Sequence, residues 1–210
     1  MKLLSLNIGR PQKKDWKGKT VHTSIFKTSV VGERKVSFLN IEGDEQADLR
    51  VHGGINKAVY AYDVSHYEYW KKVLARTDWT PGLFGENLTT EGLVDNEVRI
   101  GDVYQIGSVQ LQAVQPRFPC TKLNARFGVP DMLDRFTAAR RNGIYFKVLK
   151  EGTLVAGDEI KLIESSPFAV TVQQYVDCYY EKGRDKALVQ TILSIPFLPE
   201  SQRHKFELFT

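Results

Sequence analysis

The chain has 210 residues, 42% of them hydrophobic and 26% charged, with a formal net charge of +4 at pH 7. That make-up is ordinary for a globular protein, and the length suits one large domain or a domain with a small appendage. Two cysteines are too few for a disulfide framework or a four-cysteine cluster, and no apolar run approaches membrane-spanning length, so we expect a cytoplasmic protein with no membrane association.

Met1 to Gly9 has too short an apolar core for a signal peptide and reads as a first strand. Arg10, Lys13, Lys14, Lys17 and Lys19 then cluster around a Gly/Pro-containing loop. Such a loop can touch a polyanion, but a solvated turn is the commoner outcome. Basic and stacking aromatic residues do not alternate here, so nucleic acid is not an expected partner. Residues 21–31 are β-prone, and 36–41 read as another strand after a turn at Gly32. The polar loop 42–57 is of a length that is uncommon without a function. Residues 58–62 form a strand, Asp63 is placed to cap a helix, and Val64, Tyr67, Trp70 and Leu74 recur at helical spacing.

A second irregular stretch covers 83–92, and short strands are expected at 98–100 and 103–106. Residues 109–114 alternate apolar and polar as a strand does. Asp131 caps a helix to about Arg141, and 144–149 and 154–162 read as further strands. Many short strands broken by Gly turns point to a mainly β fold, a closed or partly closed barrel with peripheral helices. After Ser165-Ser166-Pro167 the character changes, and 171–180, 187–193 and 200–209 read as three short helices. We therefore expect a β-barrel domain over 1–165 and a three-helix subdomain over 166–210 that has too little core to stand alone. Cys178 falls in that subdomain and reads as packing.

The chain is organised around Gln115-Pro116-Arg117-Phe118-Pro119-Cys120-Thr121-Lys122-Leu123. Here a cysteine lies at a strand-to-helix junction. Two prolines restrict the backbone, and Arg117 and Lys122 favour the thiolate. The residues alone leave a buried structural cysteine equally open. In a barrel, the loops 42–57, 83–92 and 115–123 converge on one mouth. His52-Gly53-Gly54 would expose backbone N–H groups to an anion, and Lys57 would add charge; a plain Gly-Gly turn is the alternative. Glu42, Asp44, Glu45 and Asp48 match no calcium loop. Asn87 has an amide that can donate and accept toward a heterocycle, or simply serve a turn.

Together these pieces resemble a known family. Gly43-Asp44-Glu45-Gln46-Ala47-Asp48, Val51-His52-Gly53-Gly54 with Lys57-Ala58, Phe84-Gly85-Glu86-Asn87-Leu88, Gly101-Asp102 and Gln115-Pro116-Arg117-Phe118-Pro119-Cys120 stand in the order and spacing of the MOSC domain. That family is named for the C-terminal part of molybdenum-cofactor sulfurases, and the YiiM-type branch is the most similar, including its three-helix extension. The resemblance implies a MOSC β-barrel and a molybdenum pyranopterin cofactor. Cys120 would be both the thiolate ligand of molybdenum and a catalytic residue. His52, Gly53, Gly54, Lys57, Asn87, Arg117 and Lys122 would hold the pterin and its phosphate. The implied reaction is reduction of N-hydroxylated compounds, such as hydroxylaminopurines, to amines. An acid must protonate the leaving oxygen. Asp44 and Glu86 lie in the right loops, and Asp44 is carried as the catalytic candidate. With no flavin, haem or iron–sulfur motif, a separate electron-donating reductase is the expected partner. The alternative is a cofactor or sulfur carrier using Cys120 as a persulfide acceptor.

Overall fold

The computed structural model describes residues 1–49 and 53–210. The strands are β1 (Lys2–Ile8), β2 (Gln12–Trp16), β3 (Lys19–Thr23), β4 (Thr28–Ser29), β5 (Arg34–Val36), β6 (Val59–Asp63), β7 (Leu88–Glu91), β8 (Val103–Ile106), β9 (Val109–Pro116), β10 (Ile144–Lys150), β11 (Gly152–Leu154) and β12 (Ile160–Glu164). The helices are α1 (Val64–Val73), α2 (Lys122–Phe127), α3 (Met132–Ala139), α4 (Val172–Tyr180), α5 (Lys186–Leu193) and α6 (Glu200–Glu207). None of them is long and apolar enough to cross a membrane.

Eight strands form one mixed sheet in the order β12-β8-β9-β10-β6-β7-β1-β4. The β6/β7 pair is parallel, and the other pairs are antiparallel. This is the expected mainly β class, but the ladder does not close into a barrel. β12 meets β1 through a single bridge, Lys2 to Glu159, reinforced by backbone bonds from Leu3 N–H to Asp158 O and from Ile160 N–H to Met1 O. The reason is competition for one strand edge. The far half of that edge of β1 is taken by β4, through Asn7–Ser29 and Ile8–Thr28. The sheet therefore curls until its sides touch at one rim only.

Four further expectations are corrected locally. The basic segment near Lys13 is a β2–β3 hairpin rather than a loop. Its turn, Lys17-Gly18, has positive φ at both positions, the primed-turn geometry that suits the twist of a tight hairpin. Residues 37–41 leave the strand path after Val36, and 98–100 contribute only an isolated bridge, Arg99 to Thr171. β7 lies inside the stretch that reads as irregular at 83–92.

Two apolar clusters stand back to back across the sheet. β9 shows how the first forms: Val109, Leu111 and Ala113 are buried while Gln110 and Gln112 between them are half-buried, the period of a strand. Val172 and Tyr175 of α4, Val189 and Ile192 of α5 and Phe206 of α6 join this same cluster. α4 begins with a capping box in which Thr171 accepts from Gln174 N–H and the Gln174 side chain accepts from Thr171 N–H. Cys178 is buried there, and burial pushes its thiol up to about 11, which suits packing rather than chemistry. The second cluster is aromatic. Tyr62, Tyr67, Trp70, Phe84, Phe127 and Phe136 bind α1, the 82–86 loop, α2 and α3 to one another. α1 starts where expected, with the Asp63 carboxylate accepting from Ser65 N–H at 2.9 Å. The candidate pocket opens beside this second cluster.

Candidate functional site

β9 runs out at Pro116, opposite Ile144 of β10. Arg117 continues the pairing, its N–H donating to Gly143 O at 3.1 Å. Asn142 donates its side-chain amide to Arg117 O at 2.9 Å. The Asp95 carboxylate in turn accepts from both Asn142 N–H and Gly143 N–H, at 3.1 and 3.0 Å. Gly143 has φ of +68°. A Cβ there would stand 2.6 Å from Ala61 O, a backbone atom that cannot move aside. We expect Gly143→Ala to destabilise by at least about 2 kcal/mol and to loosen Arg117, read by urea unfolding and by faster exchange of the Arg117 amide proton. Wild-type stability in the variant would show that the backbone relaxes there.

The Arg117 side chain is buried, with its guanidinium 5.4 Å from the ring centroids of both Tyr60 and Phe136. Its Nη1 is buried without a hydrogen-bond partner, and no carboxylate pairs with it among the described residues. Burial opposes its charge, but Tyr60, then Tyr145 and Cys120, outweigh that and raise its proton affinity. Cys120 follows three residues later. It is partly exposed, unbridged, and held at the entry to α2 by Leu123 N–H donating to Cys120 O at 3.0 Å.

Asp44 forms the facing wall. Its Oδ1 accepts from the Lys27 ammonium and from Gly9 N–H at 2.8 Å, and its Oδ2 accepts from the Asn87 amide at 2.9 Å. Asn87 is fully engaged as well: its Oδ1 accepts from Tyr60 N–H at 3.2 Å, and its amide also donates to Asn7 O at 3.3 Å. Both side chains thus bind the wall together. Glu86, the acid candidate from the 83–92 stretch, is fully buried. It accepts from Tyr67 OH, Gly82 N–H, Phe84 N–H and Thr89 Oγ1. Burial raises its pKa against those bonds.

The pocket so formed is open to solvent, with a cavity of about 80 Å³. It brings together six of the residues singled out in the sequence: Asp44, Lys57, Asn87, Arg117, Cys120 and Lys122. Gly53 and Gly54 do not line it; Gly54, at φ of +96°, starts the 3-10 turn Ile55–Lys57 instead. His52 lies outside the described residues. Sequence reasoning missed Lys27, Tyr60 and Tyr145, which also line the wall. Tyr60 and Tyr145 read as ordinary strand residues. The available signal for Lys27 was a lone cation among Ile25, Phe26 and Val30 in a β-prone run. Lys27, Lys57, Arg117 and Lys122 outnumber Asp44 and Glu45 in the lining, so the pocket favours an anionic ligand. Among the described residues, no three of His, Cys, Asp and Glu are grouped to hold a metal ion. A metal bound by Cys120 would have to bring most of its own ligands.

The sequence profile of the MOSC domain matches residues 48–161. This chain belongs to the MOSC domain family. YflK of Bacillus subtilis (strain 168) is 38% identical over 204 residues, covering 97% of this chain and 92% of that protein. A protein of Gibberella moniliformis (strain M3125 / FGSC 7600) named Reductase is 38% identical over 168 residues, 77% of this chain but 29% of its own length. The crystal structure of YiiM from Geobacillus stearothermophilus superposes with a TM-score of 0.83 at 32% identity, covering 99% of this chain and 98% of that one. The MOSC match includes Lys57, Asn87, Arg117, Cys120 and Lys122 but begins after Lys27 and Asp44. Helices α4 to α6 lie beyond it, yet they fall within the YiiM superposition, so this extension is shared architecture.

Proposed function

We propose that this MOSC protein reduces N-hydroxylated compounds, such as hydroxylaminopurines, to amines, using a molybdenum pyranopterin cofactor and a separate electron-donating reductase. One observation carries the reading. An accessible thiol, Cys120, and a buried guanidinium nitrogen without a partner, on Arg117, share one cationic pocket. A phosphorylated metal–pterin needs a soft thiolate ligand and a fixed cation, and this donor set fits it. Cys120 would be the protein ligand of the metal. Arg117 would hold the anionic end, with Lys57 and Lys122 adding charge. When bound, the cofactor supplies the two-electron chemistry that breaks the N–O bond.

The chain's own part is orientation and proton supply. The Asp44–Asn87 clasp fixes the wall opposite Cys120, and Tyr60 keeps its phenol proton on Asn142 O at 2.9 Å, its pKa raised by burial. The balanced reaction consumes two electrons and two protons and releases the amine and water. A fungal relative named Reductase supports the reaction class. Two unbridged cysteines suit the reducing cytoplasm.

Protein made in a host that synthesises the cofactor is expected to carry near-stoichiometric molybdenum and pterin. Cys120→Ser is expected to lose more than about tenfold of both, because a ligand outweighs the outer contacts whose loss already costs about that much. Elemental analysis and pterin fluorescence of the purified proteins check this. Wild type with neither molybdenum nor pterin would sink the reading. A transferable sulfur on Cys120 would then point to a carrier.

A further inference from the structure

The reaction proposed above needs an acid at the pocket, and the two carboxylates suggested by the sequence are poorly set for that task. Asp44 accepts only from donors: the Lys27 ammonium, Gly9 N–H and the Asn87 amide. All three are donors, and none is an acceptor toward which an Asp44 O–H could point, so these contacts suit Asp44 to aiming a neighbouring cation rather than to delivering a proton. Glu86 is fully buried and absent from the pocket lining.

Lys27 is different. It stands between β3 and β4, buried to 8% exposure, and lines the same pocket as Cys120. Its ammonium has three hydrogens, and among the described residues the Asp44 carboxylate is its one hydrogen-bond acceptor. The charged groups facing it are Asp44 in contact and Glu86 behind. Burial lowers its pKa, and the two carboxylates oppose that shift without cancelling it. Lys27 is thus a proton-bearing group aimed by a carboxylate in a pocket wall, and easier to deprotonate than a solvated lysine.

We propose that Lys27 gives the proton taken up by the leaving oxygen of an N-hydroxylated substrate, with Asp44 aiming it. The proposal rests on the reductase reading above. In the step, the N–O bond breaks and two electrons from the external reductase enter the substrate. The oxygen leaves as water, carrying its own hydrogen and the Lys27 proton. The nitrogen takes a second proton from solvent, and the neutral Lys27 amine is recharged from water.

The test uses cofactor-loaded protein and Lys27→Arg, which keeps a cation beside Asp44 but releases its proton far less readily. Molybdenum content is expected to be unchanged, with kcat for a hydroxylamine about 100-fold lower. With the O-acetyl hydroxylamine, whose acetate leaves without a proton, the deficit is expected to shrink below about tenfold. Loss of molybdenum in parallel with activity would make Lys27 a cofactor anchor and overturn the proposal. So would equal deficits with both substrates. Failure of the wild type on both substrates would instead remove the reductase reading itself. A second measurement needs neither cofactor nor variant activity. In 15N-labelled, cofactor-free protein the Lys27 ammonium is expected to titrate below the exposed lysines, and lower still in Asp44→Asn. Titration together with the exposed lysines overturns the proposal.

Discussion

Asp44→Ala is expected to destabilise the fold by about 3–5 kcal/mol, the cost of removing one partner from a buried ion pair. Asp44 is 3% exposed and Lys27 is 8% exposed, so the water that reaches the pocket wall replaces the lost carboxylate poorly. Two neutral donors, Gly9 N–H and the Asn87 amide, lose their acceptor in the same substitution. The clasp joins segments far apart in sequence: β1, the 42–48 loop, the residue between β3 and β4, and the 82–88 stretch. Its loss should therefore lower the midpoint of global unfolding rather than fray one loop. Urea unfolding checks the free energy, and the thermal midpoint should fall by roughly 10 °C for a chain of this size. The double replacement Lys27→Met with Asp44→Leu should cost clearly less than Asp44→Ala alone, because no charge is then left buried. A single-variant loss below about 1 kcal/mol would show that Lys27 reaches solvent or is neutral in the folded protein.

Trp70→Ala is the second large effect, at about 3–5 kcal/mol, the usual cost of removing a large aromatic side chain from a packed core. Trp70 is fully buried and stacks on Phe136, with centroids 5.8 Å apart and planes 9° from parallel. Its indole N–H donates to Tyr62 OH at 2.8 Å. Phe136 lies beneath the Arg117 guanidinium, so a cavity at Trp70 sits one residue away from the cation that would hold the ligand. We therefore expect two readouts from one substitution: a lower unfolding free energy, and weaker cofactor retention in the fraction that remains folded. Unchanged retention despite the expected destabilisation would show that Arg117 is positioned by Asn142 and Gly143 alone.

Much of this protein is determined by residues close together in sequence. The alternation in β9, the Asp63 cap, the helical spacing from Val64 to Leu74 and the Thr171 cap are local, because each depends on backbone geometry within a turn or two. The order of the Gly-Asp, Gly-Gly, Glu-Asn and Pro-Cys segments identified the family, since it does not depend on how those segments meet. What lies between strands was decided only in three dimensions. β4 and β12 compete for the same edge of β1, and no local pattern says which takes more of it, so whether the barrel closes fully or only in part was not legible in the sequence. Helices α4 to α6 add their apolar faces to the main core because a short helix buries little alone. The Lys27–Asp44 pair and the unpartnered Arg117 nitrogen are likewise products of packing. Sequence supplied the cations and the carboxylate. Only the folded chain determined that one cation is matched by a carboxylate while the other is buried without one, and that difference follows from which segments share a wall.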